Sequence, residues 1–589
     1  MSARNRHLAT ILLAALALRL LLLLARGDYI VYDEGYYLLL ARSLRAGQGF
    51  TLNGLPHVAL SPLQPVLVAL LSATGAPDLW VSRLLAAVCG SLLVLPVAAL
   101  GRLAGGPRVA LVAAVLTAAS PALMSFVPFF PGQSWNLYFG SEPLYLLLAF
   151  SAVAAAVRAA EGGWPWWLAA GALAGASYLA RAEGLVLCGA LLLVVALRLL
   201  VKRMPARAWR GPLLAAAAGL VVAAPYLVYL HSALGRWAVS GRVQAAANAG
   251  AATPSAVESA RSGGQVLEAF VWQGQPEAFV RAMYGLDPTG TRMASQYWGV
   301  RREPSGPTPA AARDPARPQR AGPVAPESAE RVASPTAGPA TSPGTGPAGG
   351  APPRRSPLLV WWQGITTVVP WWLGVVALAG LALGTRGALV WLVPLAAAAL
   401  LPSLATYVEP RSLLPLAPLA AIGAASAASW AAERLAGVRN LRASIVLPAV
   451  LAIALVAPAV RDLVRAWNQS TPLQQVATAR RAVGEYLARH LGPDASVMSF
   501  HPAVAIWAGR PWRVLPNDTF QRIAAYADQE HAAAVVFSRF EPSPIQRPPR
   551  AFTIVLPSGT TAPSATVQLQ PVDETPLLFV GRLAAGASR

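Results

Sequence analysis

Two adjacent carboxylates, Asp33 and Glu34, follow the first long apolar run of the chain, Leu8 to Ala25, within about two helical turns of its end. A carboxylate that close to a bilayer is costly if idle, and a general base acting on a lipid-borne substrate belongs in such a place. The chemistry open to the pair is removal of a proton from an attacking hydroxyl. The competing reading of Asp33 is structural, since an acid beside the start of a helix meets the positive end of the helix dipole. Only one of two neighbouring helical carboxylates can face a given site, so Glu34 stands beside Asp33 as the second catalytic candidate.

Further groups with chemical potential are spread along the chain: His57, Glu142, Arg181, Glu183, Glu409 and Arg411. Arg181 and Arg411 are candidates for a phosphate, which a guanidinium holds bidentately. The plainer reading of both is snorkelling at the end of a span, and Arg181-Ala182-Glu183 could simply close a helical turn. Glu142 opens an apolar run and is either a helix N-terminal charge or a group that orients an acceptor or a metal. His57 reads as a solvated loop histidine unless it touches substrate, and His501 carries still less functional signal. Cys89 and Cys188 lie inside apolar runs and supply neither a disulfide framework nor a metal spacing. No stable metal site is expected. The cofactor left open is a divalent cation, Mg²⁺ or Mn²⁺, held transiently between one carboxylate and a substrate phosphate.

The elements that must position these groups are mostly membrane helices. The chain has 589 residues, 55% hydrophobic and 12% charged, with a mean hydropathy of +0.49. A soluble globular protein carries about twice that charge. The net charge of +21 does not indicate nucleic acid, because the basic residues are scattered through short loops and all but Lys202 are arginines. Apolar runs long enough to span fall at 8–25, 79–101, 109–128, 140–157, 164–180, 184–200, 211–231, 358–383, 387–406, 412–432 and 443–461, about eleven in all, with nearly charge-free interiors. Pro62 to Leu71 is too short to cross and is expected to be re-entrant or to lie on the surface.

With the N-terminus cytoplasmic and the first span an uncleaved signal anchor, Arg102, Arg108, Arg158, Arg198, Lys202, Arg203, Arg207, Arg210, Arg386, Arg434, Arg439 and Arg442 all fall inside. The same alternation puts Asp33, Glu34, His57, Glu142, Arg181, Glu183, Glu409 and Arg411 on the exoplasmic side of a cell membrane. The membrane domain covers 1–461. Within it, the first exoplasmic loop, 26–78, carries an amphipathic helix from Gly35 to Ala46, and a large exoplasmic loop occupies 232–357. Residues 303–355 of that loop are Pro, Ala, Gly, Ser, Thr and Arg without periodicity and are expected to be disordered. Residues 462–589 read as a small soluble exoplasmic α/β domain. Its expected helices are 475–491, 503–508 and 520–530, and its expected strands 496–499, 513–515 and 534–537.

Several of these stretches resemble one family. Tyr32-Asp33-Glu34-Gly35-Tyr36-Tyr37, Ser61-Pro62-Leu63-Gln64-Pro65, Ser141-Glu142-Pro143, Tyr178-Leu179-Ala180-Arg181-Ala182-Glu183-Gly184 and Glu409-Pro410-Arg411 are similar to motifs of the GT-C glycosyltransferases. The likeness is to the family 39-like branch of protein mannosyltransferases and lipid A aminoarabinose transferases. Ser412 stands where that family usually has Tyr, and Leu60-Ser61-Pro62 where it often has His-Pro-Pro or Lys-Pro-Pro. The resemblance implies an integral-membrane transferase that takes a sugar from a polyprenyl-phosphate carrier. It implies transfer, usually with inversion, to a lipid, glycan or protein acceptor on the exoplasmic face. Asp33 would then be the base, and the arginines would face the carrier phosphate. The alternatives are a transporter or flippase of lipid-linked sugars and a non-catalytic scaffold whose tail binds a partner. A transporter tends to hold its ionisable groups near the midplane, whereas these gather at one face.

Overall fold

The computed structural model describes residues 3–25, 29–30, 32–124, 126–127, 136–137, 140–203, 205–241, 285–287, 290–293, 295–300, 357–383, 386–405, 410–436, 450, 453–454, 457, 472–516, 518, 520–538, 550–556 and 569–583. Two parts make up the chain: a bundle of apolar helices and a C-terminal sheet domain. The segment 303–355 and nearly all of the expected last span, 443–461, lie outside the described residues.

The bundle begins with α1 (Ala3–Ala25) and the amphipathic α2 (Tyr32–Arg45), followed by a hairpin of β1 (Thr51–Leu52) and β2 (Leu55–Pro56). Next come α3 (Leu63–Ser72), α4 (Asp78–Leu92), α5 (Val94–Ala119), the short pair β3 (Phe126–Val127) and β4 (Asn136–Leu137), and α6 (Glu142–Glu161). The bundle continues through α7 (Trp164–Ala180), α8 (Gly184–Val201), α9 (Arg210–Leu234), α10 (Pro357–Val368), α11 (Trp371–Leu383), α12 (Arg386–Ala405) and α13 (Leu416–Ala436). Glycine and alanine let helix backbones approach closely, as where Gly171 of α7 meets the Ala215 carbonyl of α9. The indoles of Trp164, Trp166 and Trp371 remain exposed near helix ends, as interfacial aromatics do.

Among the described residues five helical stretches are long and apolar enough to cross a membrane, or six if the pair Trp361–Val368 and Trp371–Leu383, bent by 83°, is one span. The larger number expected from apolar runs differs for physical reasons. α7 has only 17 residues. α12 contains Pro394 and Pro402. The run from Asp78 to Ala119 is broken at Gly106, whose positive φ of 81° precedes Pro107 and turns the chain back, so that Gly101 lies against Ala110 and Ala113. α3, at 10 residues, is about 15 Å long and cannot cross a core of about 30 Å, as expected.

Two buried arginines are exceptions to the expected nearly charge-free span interiors. Arg19 lies in the middle of α1 with no exposure, donating to the carbonyls of Ala15 (3.2 Å) and Leu123 (2.7 Å). Arg83 is likewise buried in α4. A buried guanidinium is tolerated where carbonyls or carboxylates take its protons, and neither partner is visible in a hydropathy profile.

The tail domain contains α14 (Pro472–His490), β5 (Ser496–Ser499), α15 (Ala503–Ala508), β6 (Trp512–Val514), α16 (Phe520–Gln529) and β7 (Ala532–Ser538), close to the expected elements. Three further strands complete it: β8 (Phe552–Leu556), β9 (Leu569–Glu574) and β10 (Leu578–Leu583). The strand order is β6-β5-β7-β8-β10-β9, with β5 parallel to both β6 and β7. Pro571 argues against a strand in sequence, but β9 is an edge, where a missing N–H is tolerated. Val483, Val497, Met498, Ala534 and Phe537 fill the core on this sheet.

The expected amphipathic helix also starts earlier than Gly35, which puts Asp33 and Glu34 inside its first turn and Arg42 and Arg45 in its last. Both pairs suit the helix dipole.

His501, at the carboxyl end of β5, is fully buried, and its Nδ1 accepts the Ala503 N–H at 3.1 Å. Burial, reinforced by nearby Arg480, holds its pKa well below the usual value. The unfolded chain therefore takes up a proton near pH 6.5 that the folded chain refuses. Stability is full above pH 6.5 and falls below it, with a slope approaching about 1.4 kcal/mol per pH unit. Thermal melts of the full chain between pH 7.5 and 5 should show this fall, and His501→Asn should flatten it.

Candidate functional site

Helical geometry alone divides α2 into faces. Successive residues are rotated by roughly 100°, so Asp33 and Tyr37 share one face, Glu34 and Arg45 a second, and Gly35 and Arg42 lie opposite the first. Each face meets a different partner.

The Glu34 face meets α4. The Glu34 carboxylate, with no exposure, accepts from Arg83 Nε at 3.1 Å, and Arg83 Nη2 donates to the Tyr29 carbonyl at 2.9 Å. At the far end of α2, Asp78 at the start of α4 accepts from Arg45 and, at 3.0 Å, from Arg42 Nε. α2 is thereby tied to α4 at both ends.

The Asp33 face meets the ends of three other segments. Arg411, in the short 3-10 turn Pro410–Leu413, donates to the Asp33 carboxylate. One turn along α2, the Tyr37 hydroxyl and Ser141 Oγ lie 2.9 Å apart, and Ser141 precedes α6. Its neighbour Glu142 accepts from Arg181, which sits in the turn between α7 and α8. Arg181 also grips Glu183 with two nitrogens, Nη2 at 2.7 Å and Nε at 3.3 Å. Asp33, Glu142, Arg181 and Arg411 thus come from four chain segments into one ionic cluster, and none of their side chains is more than 10% exposed.

Burial, with Asp33 and Glu142 nearby, pushes the Tyr37 phenol up to about 12, so it is a neutral hydroxyl at physiological pH. Burial by itself would lower the Arg181 guanidinium, but Glu183 and Glu142 raise it well above the ordinary value and keep it a fixed cation. The cluster can therefore offer a carboxylate to a proton and guanidinium groups to an anion. Among the described residues no three His, Cys, Asp or Glu side chains stand close enough to hold a metal. The carboxylates of Asp33, Glu142 and Glu183 already face guanidinium groups, which does not fit a multi-carboxylate metal centre.

Of the sequence candidates, Asp33, Glu142, Arg181, Glu183 and Arg411 come together. Glu34 turns away to Arg83. Glu409 lies outside the described residues. His57 is a correction: it is fully buried rather than solvated, its Nε2 accepts the Leu60 N–H at 3.0 Å, and its ring packs edge-on against Phe50 and Tyr297. The Tyr229 hydroxyl, 2.8 Å from its carbonyl, reinforces that loop. Sequence reasoning missed Tyr37, Ser141 and Arg83. Tyr37 and Ser141 belong to the quoted motifs, and the spacing of Tyr37 from Asp33 by one helical turn was the available signal. Arg83 carried none, because its partner is 49 residues away.

Residues 60–229 match the family described as Dolichyl-phosphate-mannose-protein mannosyltransferase. That stretch contains Glu142, Arg181 and Glu183, whereas Asp33 and Arg411 lie outside it. No curated protein matches the chain. Among solved structures, the oligosaccharyltransferase of Archaeoglobus fulgidus in the apo form shares the fold, with a TM-score of 0.50, 13% identity, and coverage of 91% of this chain and 69% of that one. ArnT of Cupriavidus metallidurans bound to undecaprenyl phosphate aligns with a TM-score of 0.46 and 13% identity over 91% of this chain and 93% of that one.

The Glu34–Arg83 pair yields a stability prediction. Arg83→Met leaves Glu34 buried without this cation, and removing one partner of a buried pair costs about 3–5 kcal/mol. Thermal melts should show a large loss for Arg83→Met and substantial recovery for Glu34→Gln/Arg83→Met.

Proposed function

We propose that this GT-C superfamily chain, whose residues 60–229 match the mannosyltransferase family, is a membrane glycosyltransferase that moves a sugar from a polyprenyl-phosphate carrier to an acceptor hydroxyl. The observation that carries the reading is the convergence of Asp33, Glu142, Arg181 and Arg411 at one end of the helix bundle, beside an amphipathic helix. A lipid-linked donor puts its phosphate and anomeric carbon at the end of its apolar tail, which is the depth at which such a cluster would meet them.

In this reaction a carboxylate oxygen of Asp33 takes the acceptor proton as the acceptor oxygen bonds to the anomeric carbon. The bond from that carbon to the carrier phosphate breaks, and the phosphate leaves with the electron pair. Arg411 is placed to meet both charges. A phosphate that draws on Arg411 loosens its hold on Asp33 and makes the carboxylate a better base. Arg181, clamped by Glu142 and Glu183, is a second fixed cation for the carrier phosphate. Glu34 serves structure through Arg83. His57 orders the loop that leads into α3. We place the cluster and the tail domain on the exoplasmic face, with the N-terminus in the cytoplasm, because the loops at the opposite end of the bundle carry the arginines.

The test is transfer by purified wild type and Asp33→Asn in lipid with a panel of polyprenyl-phosphate sugars, read by mass spectrometry. Wild type should consume one donor, and Asp33→Asn should lose roughly a hundredfold or more in rate while still melting cooperatively as a folded protein. Unchanged turnover would move the base to Glu142. Donor consumed by neither protein would favour a transporter of lipid-linked sugars.

A further inference from the structure

In a doubly wound sheet, the crevice at the carboxyl ends of the parallel strands is where a ligand usually sits. Here the chain itself occupies that end. Beyond β5, Pro502 meets α2 at Gly35, and a Cβ built there would lie 2.6 Å from Pro502 Cγ and 3.3 Å from Pro502 Cβ. Arg42, two turns further along the same face of α2, donates to the Ile506 carbonyl at 3.3 Å. The loop after β1 joins the same seam: Asn53 Oδ1 accepts the Val514 N–H at 3.2 Å, and Asn53 Nδ2 donates to the Trp298 carbonyl at 3.2 Å. Tyr36 closes it, its ring 5.5 Å from Trp298 and 5.6 Å from Trp512.

We propose that Gly35 is a positioning residue, and that its flush contact with Pro502 lets the tail domain set the distance of Asp33 from Arg411. Gly35 and Asp33 lie on opposite sides of α2, so a push at Gly35 is delivered across the helix to Asp33. The approach of 2.6 Å falls about 0.8 Å short of the 3.4 Å at which ordinary contact begins. The ties of Arg42, Arg45 and Glu34 to α4 leave little freedom to absorb that push sideways. An error near 1 Å at a reacting group is enough to cost up to about a hundredfold in rate. Alanine is also a better helix former than glycine, so a loss in Gly35→Ala cannot come from a weaker α2.

The activity arm of the test rests on the reading of Asp33 as the base. Wild type, Gly35→Ala, Pro502→Ala and the double variant are compared in lipid with the donor that wild type consumes. Gly35→Ala should lose about tenfold or more in kcat, with a smaller change in the KM of the donor. Pro502→Ala removes Cγ while Arg42 and Asn53 hold the seam, and it should stay within about threefold of wild type; the double variant should return to that level. Full activity in Gly35→Ala, or a double variant no better than Gly35→Ala, overturns the proposal.

If wild type transfers no sugar, the reading of Asp33 fails alone and the ion pair decides. Melting-temperature losses of Asp33→Asn and Arg411→Gln should then be non-additive in wild type, additive in Gly35→Ala, and non-additive again once Pro502→Ala is included. Non-additivity that Gly35→Ala leaves unchanged overturns the proposal.

Discussion

Charge burial at the edge of a membrane domain governs this structure. A carboxylate taken out of water is tolerated only with a cation or donors in place, and the reverse holds for a guanidinium. Glu34 with Arg83, Asp33 with Arg411, Asp78 with Arg42 and Arg45, and Arg181 with Glu142 and Glu183 all answer that demand. Each pair joins two elements, so meeting the electrostatic requirement also fixes where the elements go. α2 is held by apolar contact as well, with Tyr36, Leu38, Leu40 and Ala41 buried against the bundle and the tail domain.

α2 is where the constraint concentrates. Its 14 residues present acids at the first turn, arginines at the last, and a glycine on the face opposite Asp33. One face is tied to α4, one looks into the ionic cluster, and one is flush with the tail domain. A helix held on three sides cannot shift without breaking a buried pair or opening a packed seam. That rigidity suits the role we propose for Asp33, because a base acts only at hydrogen-bond distance.

The tail domain takes part in the same arrangement. Its parallel strands end against α2 and the β1–β2 loop rather than facing open water, and Trp298 from the large loop is wedged between Tyr36 and Trp512. The aromatic contacts bring residues from the first loop, the large loop and the tail into one core. A domain legible in sequence as a separate α/β unit is therefore part of the wall behind the ionic cluster.

Much of this was readable from residue types and periodicity. Apolar runs located most of the helices, because a bilayer core of fixed thickness leaves a length signature in the sequence. Alternation of short apolar runs with helical periods located β5 through β7 of the tail. β8 to β10 were not anticipated, β9 because Pro571 is acceptable only at an edge and edge position is a property of the assembled sheet. Asp33, Glu142, Arg181 and Arg411 could be gathered to one face because alternating spans make sidedness a counting problem. The partner of each charge was a matter for the tertiary structure. Glu34 and Arg83 are separated by 49 residues, and Asp33 and Arg411 by 378. No local rule links groups so far apart, since their pairing is fixed only when the helices that carry them pack. Burial of His57 and Arg19 was hidden for the same reason: a polar residue announces its type in the sequence, while the donors and acceptors that make its burial tolerable arrive from elsewhere in the chain.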